Sequence, residues 1–159
     1  MREKNESYFE KIPGAPNPIS FEIKRRVSFN EVDIMGIVWY GQYAIYFEQA
    51  QTELGRRCGL SFQNFYLANL RAPIVKFHSD YCAPLYLDEE FKVRATYVWS
   101  QGAKLQIEYA IIKKDGQIAT RGYTIQMFID HKNNLCIVAP EILEKLRENW
   151  KKGKFKCLK

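Results

Sequence analysis

Gly41-Gln42-Tyr43-Ala44-Ile45-Tyr46-Phe47-Glu48-Gln49-Ala50-Gln51-Thr52-Glu53-Leu54-Gly55-Arg56-Arg57-Cys58-Gly59 decides the architecture. Tyr43, Phe47, Ala50, Leu54 and Cys58 recur at spacings of four, three, four and four, which puts them on one stripe of a helix. Ala44, Ile45 and Tyr46 widen that stripe, so the first turns are apolar nearly all round and predict cover on more than one side. Gly59 predicts the stop, because a left-handed residue commonly closes a helix.

The period changes to two on either side. Residues 20–29 predict a strand, and residues 72–82 another, closed by Ala83-Pro84. In residues 91–99 apolar side chains hold every second place, and Leu105, Ile107, Tyr109 and Ile111 repeat the alternation of a half-buried strand. Asp115-Gly116 predicts a type I′ hairpin turn leading into a long strand over 117–129, with Tyr123, Ile125, Met127 and Ile129 on one face. Residues 62–70 form a weaker helical or loop stretch. A last helix begins at Pro140, a residue suited to a first helical position, with Ile142, Leu143, Leu146 and Trp150 as its stripe. Segregated strands and helices of this kind predict an α+β protein, an antiparallel sheet of about five strands wrapped round one long apolar helix, the hot-dog fold. Its edge strands are unprotected, and pairing them in a dimer would resolve that.

With 159 residues the chain has room for one domain, set here at residues 20–150, between an extended Pro-containing arm (1–19) and a basic tail (151–159). Its 47% apolar content excludes a disordered chain. The longest charge-free stretch, residues 34–47, is fourteen residues, against the roughly 20 that a membrane-spanning helix needs. No apolar run follows the charged start, so a secretory signal is not expected and the predicted location is cytoplasmic. The four cysteines are scattered without Cys-x-x-Cys, and with only His78 and His131 beside them no metal site is expected. A formal charge of +6 suits an anionic partner, yet much of it lies in the tail. Lys and Arg do not interleave with aromatics on one face, so nucleic acid is not a predicted partner.

Several chemistries lack their motif. There is no Gly-x-Ser-x-Gly elbow, no phosphate-cradling loop and no dinucleotide fingerprint. His78 falls in mid-strand and His131 beside a turn, positions more typical of structural or exposed histidines. The unusual segment is 29–48. Asp33 stands among Ile34, Met35, Ile37, Val38 and Trp39, just upstream of a helix start. Two jobs are open to it. It can accept backbone N–H groups and settle the loop, or serve as nucleophile or general base, kept ionised by the positive helix end.

The run Phe29-Asn30-Glu31-Val32-Asp33-Ile34-Met35-Gly36-Ile37-Val38-Trp39-Tyr40-Gly41-Gln42-Tyr43, followed by Tyr46-Phe47-Glu48 and Cys58-Gly59-Leu60, resembles the 4-hydroxybenzoyl-CoA thioesterase family of hot-dog acyl-CoA thioesterases. Tyr81, Pro84 and Asp88-Glu89 resemble later signals of that family, and the similarity spans about residues 20–129. The resemblance implies hydrolysis of a CoA thioester to free acid and CoA with no metal or redox cofactor. It makes Asp33 the catalytic carboxylate and the Tyr40 backbone N–H the oxyanion donor. Gly36, Tyr43, Ala72, Pro73 and Ile74 would contact substrate, and the assembly would be a homodimer or homotetramer.

Two departures stand out. Tyr40 replaces a histidine found in many relatives, and Gln101-Gly102-Ala103 is uncharged where the hydroxybenzoyl branch has a basic cluster for the CoA phosphates. Two other readings compete with acyl-CoA hydrolysis. One is a thioesterase for acyl carrier protein, whose acidic surface suits a basic enzyme. The other is a non-catalytic acyl-CoA-binding module.

Overall fold

The computed structural model describes residues 6–155; residues 1–5 of the expected arm and 156–159 of the basic tail lie outside that range. Five strands form one sheet: β1 (Ile19–Arg26), β2 (Ile74–Tyr81), β3 (Glu90–Val98), β4 (Lys104–Lys113) and β5 (Ile118–Met127). Their spatial order is β1-β3-β4-β5-β2, with every neighbouring pair antiparallel. Among the described residues the helices are α1 (Gln42–Cys58), α2 (Phe62–Leu67) and α3 (Glu141–Lys151), and a 3-10 turn, Phe29–Glu31, follows β1. The expected sheet wrapped round one helix is the arrangement found.

The alternation in β3 and β4 dictates which residues meet α1. Val93, Ala95, Tyr97, Ile107, Tyr109 and Ile111 face inward and are buried against Tyr46, Phe47, Ala50 and Leu54 of the helix. Phe47 stacks on Tyr109 with ring centroids 4.5 Å apart, and Tyr46 packs on Phe91 at 4.9 Å. Burying a side chain of this size stabilises the fold by roughly 1.5–3 kcal/mol. Gly59 ends α1 in the left-handed conformation, φ 78°. Gly122 permits the closest approach of helix and sheet. A Cβ at this position would lie 2.3 Å from the His78 carbonyl oxygen and 2.8 Å from the Phe47 ring.

Three expectations are corrected. Only Gly116 of the Asp115-Gly116 turn has positive φ, and Lys113 N–H bonds to Gln117 O, so the hairpin is a three-residue loop rather than a type I′ turn. Pro140 is the N-cap of α3 and Glu141 its first residue. Tyr123, Ile125 and Met127 share one face as expected, the outer one, and Gly122, Thr124 and Gln126 point at the helix. Finally, α1 is not covered all round. Ala44 and Ile45 are exposed, beside an edge strand β2 whose Ile74, Val75, Phe77 and Tyr81 are also exposed.

The start of the described chain lies over the outer face. Tyr8 donates from its hydroxyl to Asp80 at 2.6 Å and lies 5.1 Å from the Tyr123 ring, while its N–H and the Ser7 hydroxyl both reach Glu108. The amphipathic helix α3 closes the opposite end of the sheet, with Leu143, Leu146 and Trp150 buried and Trp150 Nε1 donating to Asn17 O. Cys58 sits inside this core, and burial pushes its thiol up to about 12. At pH 8 it is therefore a neutral thiol, and only thiolates react. A thiol reagent at that pH is expected to modify exposed Cys82 and to leave Cys58 untouched until the protein unfolds. Peptide mass spectrometry reads both sites.

Candidate active site

The loop before α1 is fixed by backbone pairing. Val32 and Val38 bridge, Asp33 N–H donates to Ile37 O at 2.9 Å, and Gly36 N–H donates to Asp33 O at 2.9 Å. Gly36 supplies the positive φ (73°) that this tight reversal needs. The 84–88 segment fastens the loop from outside: Val38 N–H donates to Leu85 O and Leu87 N–H to Gly36 O.

Asp33 does the first of its two possible jobs in plain view. Its Oδ1 accepts the Met35 N–H at 2.8 Å, leaving the second carboxylate oxygen beside a partly open surface. Tyr40 stands two residues ahead of Gln42, where α1 begins. Its side chain is 76% exposed, and its carbonyl accepts the Tyr81 hydroxyl at 3.0 Å. Among the described residues no backbone carbonyl accepts the Tyr40 N–H.

The buried carboxylate of this region is Glu31, not Asp33. Glu31 is 5% exposed and accepts from Ser28 N–H (2.8 Å), Tyr46 Oη (2.8 Å), Arg25 Nη2 (3.1 Å) and Gln42 Nε2 (3.2 Å). Burial, followed by the bond to this carboxylate, pushes the Tyr46 hydroxyl well above the usual range, so it is a donor at any working pH. One side chain thus ties β1, the 3-10 turn and the first turns of α1 together. The signal for it is Ser28-x-x-Glu31, the spacing at which an acidic side chain reaches back to cap a helical turn.

The other candidates lie elsewhere. Tyr43 is 3% exposed, its ring 5.0 Å from that of Tyr81, so within one chain it packs behind the site. Ala72 and Pro73 line a cleft of about 710 Å³ between α2 and the sheet, with Phe62, Phe65 and Leu70. Ile74 lines a neighbouring groove of about 450 Å³ with Ile45, Glu48 and Phe77. A polar seam lies between the two: Gln51 accepts from Tyr109 Oη and donates to Gln126, which donates to Ala72 O. Gln51 is nine residues past Gln42, so the Ala72–Pro73 cleft meets α1 about 14 Å from its start at 1.5 Å per residue, whereas the Ile74 groove reaches back to Ala44 and Ile45 in the first turn. Within one chain Ala72 and Pro73 are therefore set apart from the Asp33 loop, while Ile74 lies nearer the helix start. Of the apolar residues expected round Asp33, Ile34, Met35 and Trp39 are exposed, whereas Val38 is buried and Ile37 half-buried. Among the described residues no three of His, Cys, Asp and Glu gather as a metal site would require, and no helix is long and apolar enough to cross a membrane.

A sheet curled round one long helix, with a carboxylate loop at the helix start, defines a hot-dog protein. The thioesterase-like superfamily profile matches residues 27–149, and the chain belongs to that family. It is similar to the acyl-CoA thioester hydrolase of Escherichia coli, at 22% identity over 72% of this chain and 85% of that one. Among solved structures it is similar to a hypothetical protein of Aquifex aeolicus, with 26% identity, TM-score 0.69, and 79% and 98% of the two chains covered. The DHNA-CoA thioesterase of Staphylococcus aureus shares the fold at 22% identity and TM-score 0.70, covering 87% and 90%.

Proposed function

We infer that the protein hydrolyses an acyl-CoA thioester, with Asp33 as nucleophile or general base and the Tyr40 N–H as oxyanion donor. Two observations support this: a half-open carboxylate on a loop fixed by backbone pairing and, seven residues on, a backbone N–H just ahead of the central helix that no backbone carbonyl among the described residues accepts. As general base, Asp33 takes a proton from water while the water oxygen attacks the thioester carbon. The carbonyl oxygen gains charge opposite the Tyr40 N–H, and collapse expels CoA thiolate and leaves the free acid. As nucleophile, Asp33 forms an anhydride with the acyl group, which water then opens to the same products. Its similarity to an acyl-CoA thioester hydrolase and to a DHNA-CoA thioesterase supports this chemistry. The narrower assignment to the 4-hydroxybenzoyl-CoA branch rests on the motif at residues 29–43, and the aromatic acyl-CoA named for the Staphylococcus protein makes aryl-CoA esters the first substrates to try.

The active unit in this reading is a dimer formed through β2. Its free edge carries exposed Ile74, Val75, Phe77 and Tyr81, and an uncovered apolar edge invites a second strand. Antiparallel pairing about a two-fold axis brings the start of β2 from one copy to the end of β2 in the other. Ala72, Pro73 and Ile74 of a second copy then approach Tyr81, which already touches Tyr40. That rejoins Ala72 and Pro73 to the loop from which one chain sets them apart, and Gly36 and Tyr43 complete the wall. The test is release of free thiol from a panel of short, long, branched and aromatic acyl-CoA esters, with light scattering on the same sample. Thiol release by a species of twice the chain mass or a multiple of it is expected; a monomer that turns over, or a dimer that turns over no ester, defeats the respective half.

A further inference from the structure

On the outer face of β1, β3 and β4 lies a groove of about 680 Å³ whose lining is strongly cationic. Lys24, Arg26, Lys92, Arg94, Lys113 and Lys114 contribute to it, against Glu22 and Glu90. Four of these cations are engaged: Arg94 with Glu22, Arg26 with Asp88 and Glu90, Lys113 with Glu89, and Lys114 with Glu90. Lys24 and Lys92 are not; among the described residues no carboxylate comes within ion-pair distance of either. They are directly opposed in the β1–β3 register, an arrangement that costs stability because like charges face each other across the ladder. A lysine on edge strand β1 guards against unwanted pairing. Lys92 needs another reason, because β3 is an inner strand and Lys92 has Ile112 of β4 on its other side.

The groove ends against the proposed active-site loop. Arg26 donates to the Asp88 carbonyl at 2.9 Å, and the adjacent Leu87 N–H holds Gly36 O. Lys113 donates to Pro84 O and lies 5.4 Å from the ring of Tyr86, which bridges to Ile37. The region where a basic cluster is absent, Gln101-Gly102-Ala103, lies at the far end of the sheet, and Arg147 there is committed to the carbonyls of Ser100 and Gly102.

We propose that the outer groove of β1, β3 and β4 receives the phosphate-bearing nucleotide end of the CoA ester, with Lys24 and Lys92 as its free phosphate ligands. This rests on acyl-CoA hydrolysis as the activity and assigns the part of the substrate that Asp33 and Tyr40 leave unheld. Phosphate brought between the two lysines removes their mutual repulsion and gains charge-assisted hydrogen bonds from both.

The test compares wild type with the Lys24→Ala/Lys92→Ala double variant on three esters of one acyl group: on CoA, on pantetheine, which has no phosphate, and on an acidic acyl carrier protein. Binding of adenosine 3′,5′-bisphosphate is measured alongside by calorimetry. The expected result is a rise in KM for the CoA ester of about tenfold and an equal fall in the CoA-to-pantetheine ratio of kcat/KM, with bisphosphate binding lost. An unchanged ratio overturns the proposal, as does a larger loss on the carrier-protein ester, which would make the groove a protein-docking face. Bisphosphate binding needs no turnover. If wild type hydrolyses no ester yet binds the bisphosphate through these lysines, the hydrolytic reading fails and the groove assignment stands.

Discussion

Asp33→Asn is expected to lower kcat by about 10²–10⁴-fold, the usual contribution of a positioned acid–base or nucleophilic group, while the melting temperature stays within a degree or two. The separation of the two effects comes from the geometry. The carboxylate holds its loop through one oxygen, accepting the Met35 N–H, and an Asn carbonyl oxygen can accept the same bond. Asparagine thus keeps the turn and removes the base. Asp33→Ala also removes that bond and should cost about 1 kcal/mol more in stability. Steady-state thiol release and thermal denaturation on the same preparations check both. Full turnover in Asp33→Asn would remove Asp33 from the chemistry and return it to its turn-forming role alone.

Glu31→Ala should produce the opposite pattern, a large loss of stability. Removing this carboxylate leaves a guanidinium, a phenol, an amide and a backbone N–H facing a buried hole. Stripping one partner from a buried charge network costs about 3–5 kcal/mol, and for a chain of this size that corresponds to a fall in melting temperature of roughly 10 °C. Glu31→Gln keeps the volume but turns one acceptor oxygen into an NH2 that faces either Arg25 and Gln42 or Ser28 N–H and Tyr46, all donors, so it should rescue only part of the loss. Circular dichroism melts of the two variants suffice. A melt within about 1 kcal/mol of wild type for Glu31→Ala would mean that Arg25 and Tyr46 find water instead.

The fold was largely legible because its periodicities are clean. Tyr43, Phe47, Ala50, Leu54 and Cys58 keep helical spacing, and β3 and β4 alternate without interruption. Alternation fixes which residues share a face but not which face is inward. On β5 the larger apolar set, Tyr123 to Met127, lost the inner side to Gly122, Thr124 and Gln126. Only a glycine fits beneath Phe47, and the amides and hydroxyls of Gln51, Gln126, Tyr109 and Thr124 satisfy one another. The loop at Asp115-Gly116 differs from expectation because an Asp-Gly pair suits a three-residue connection as well as a two-residue one. At the proposed site, motif matching nominated Asp33 and Tyr40, but no local pattern could tell that Ile34, Met35 and Trp39 would lack cover while Val38 was buried. Whether an apolar residue near a carboxylate forms a wall depends on what packs over it, and one chain supplies that cover at Val38 but not at Ile34. Glu31 is less conspicuous in the sequence than the more isolated Asp33, although its three-residue spacing from Ser28 carries the capping signal.

Tyr8, wedged among His78, Arg121 and Tyr123, has a consequence for how the two broad sides of the sheet are used. Residues 7–9 shutter the outward half made by β5 and β2, so a visitor settles there only by prising that clasp away. Among the described residues the other half has no such shutter, which leaves the cationic groove open to a ligand.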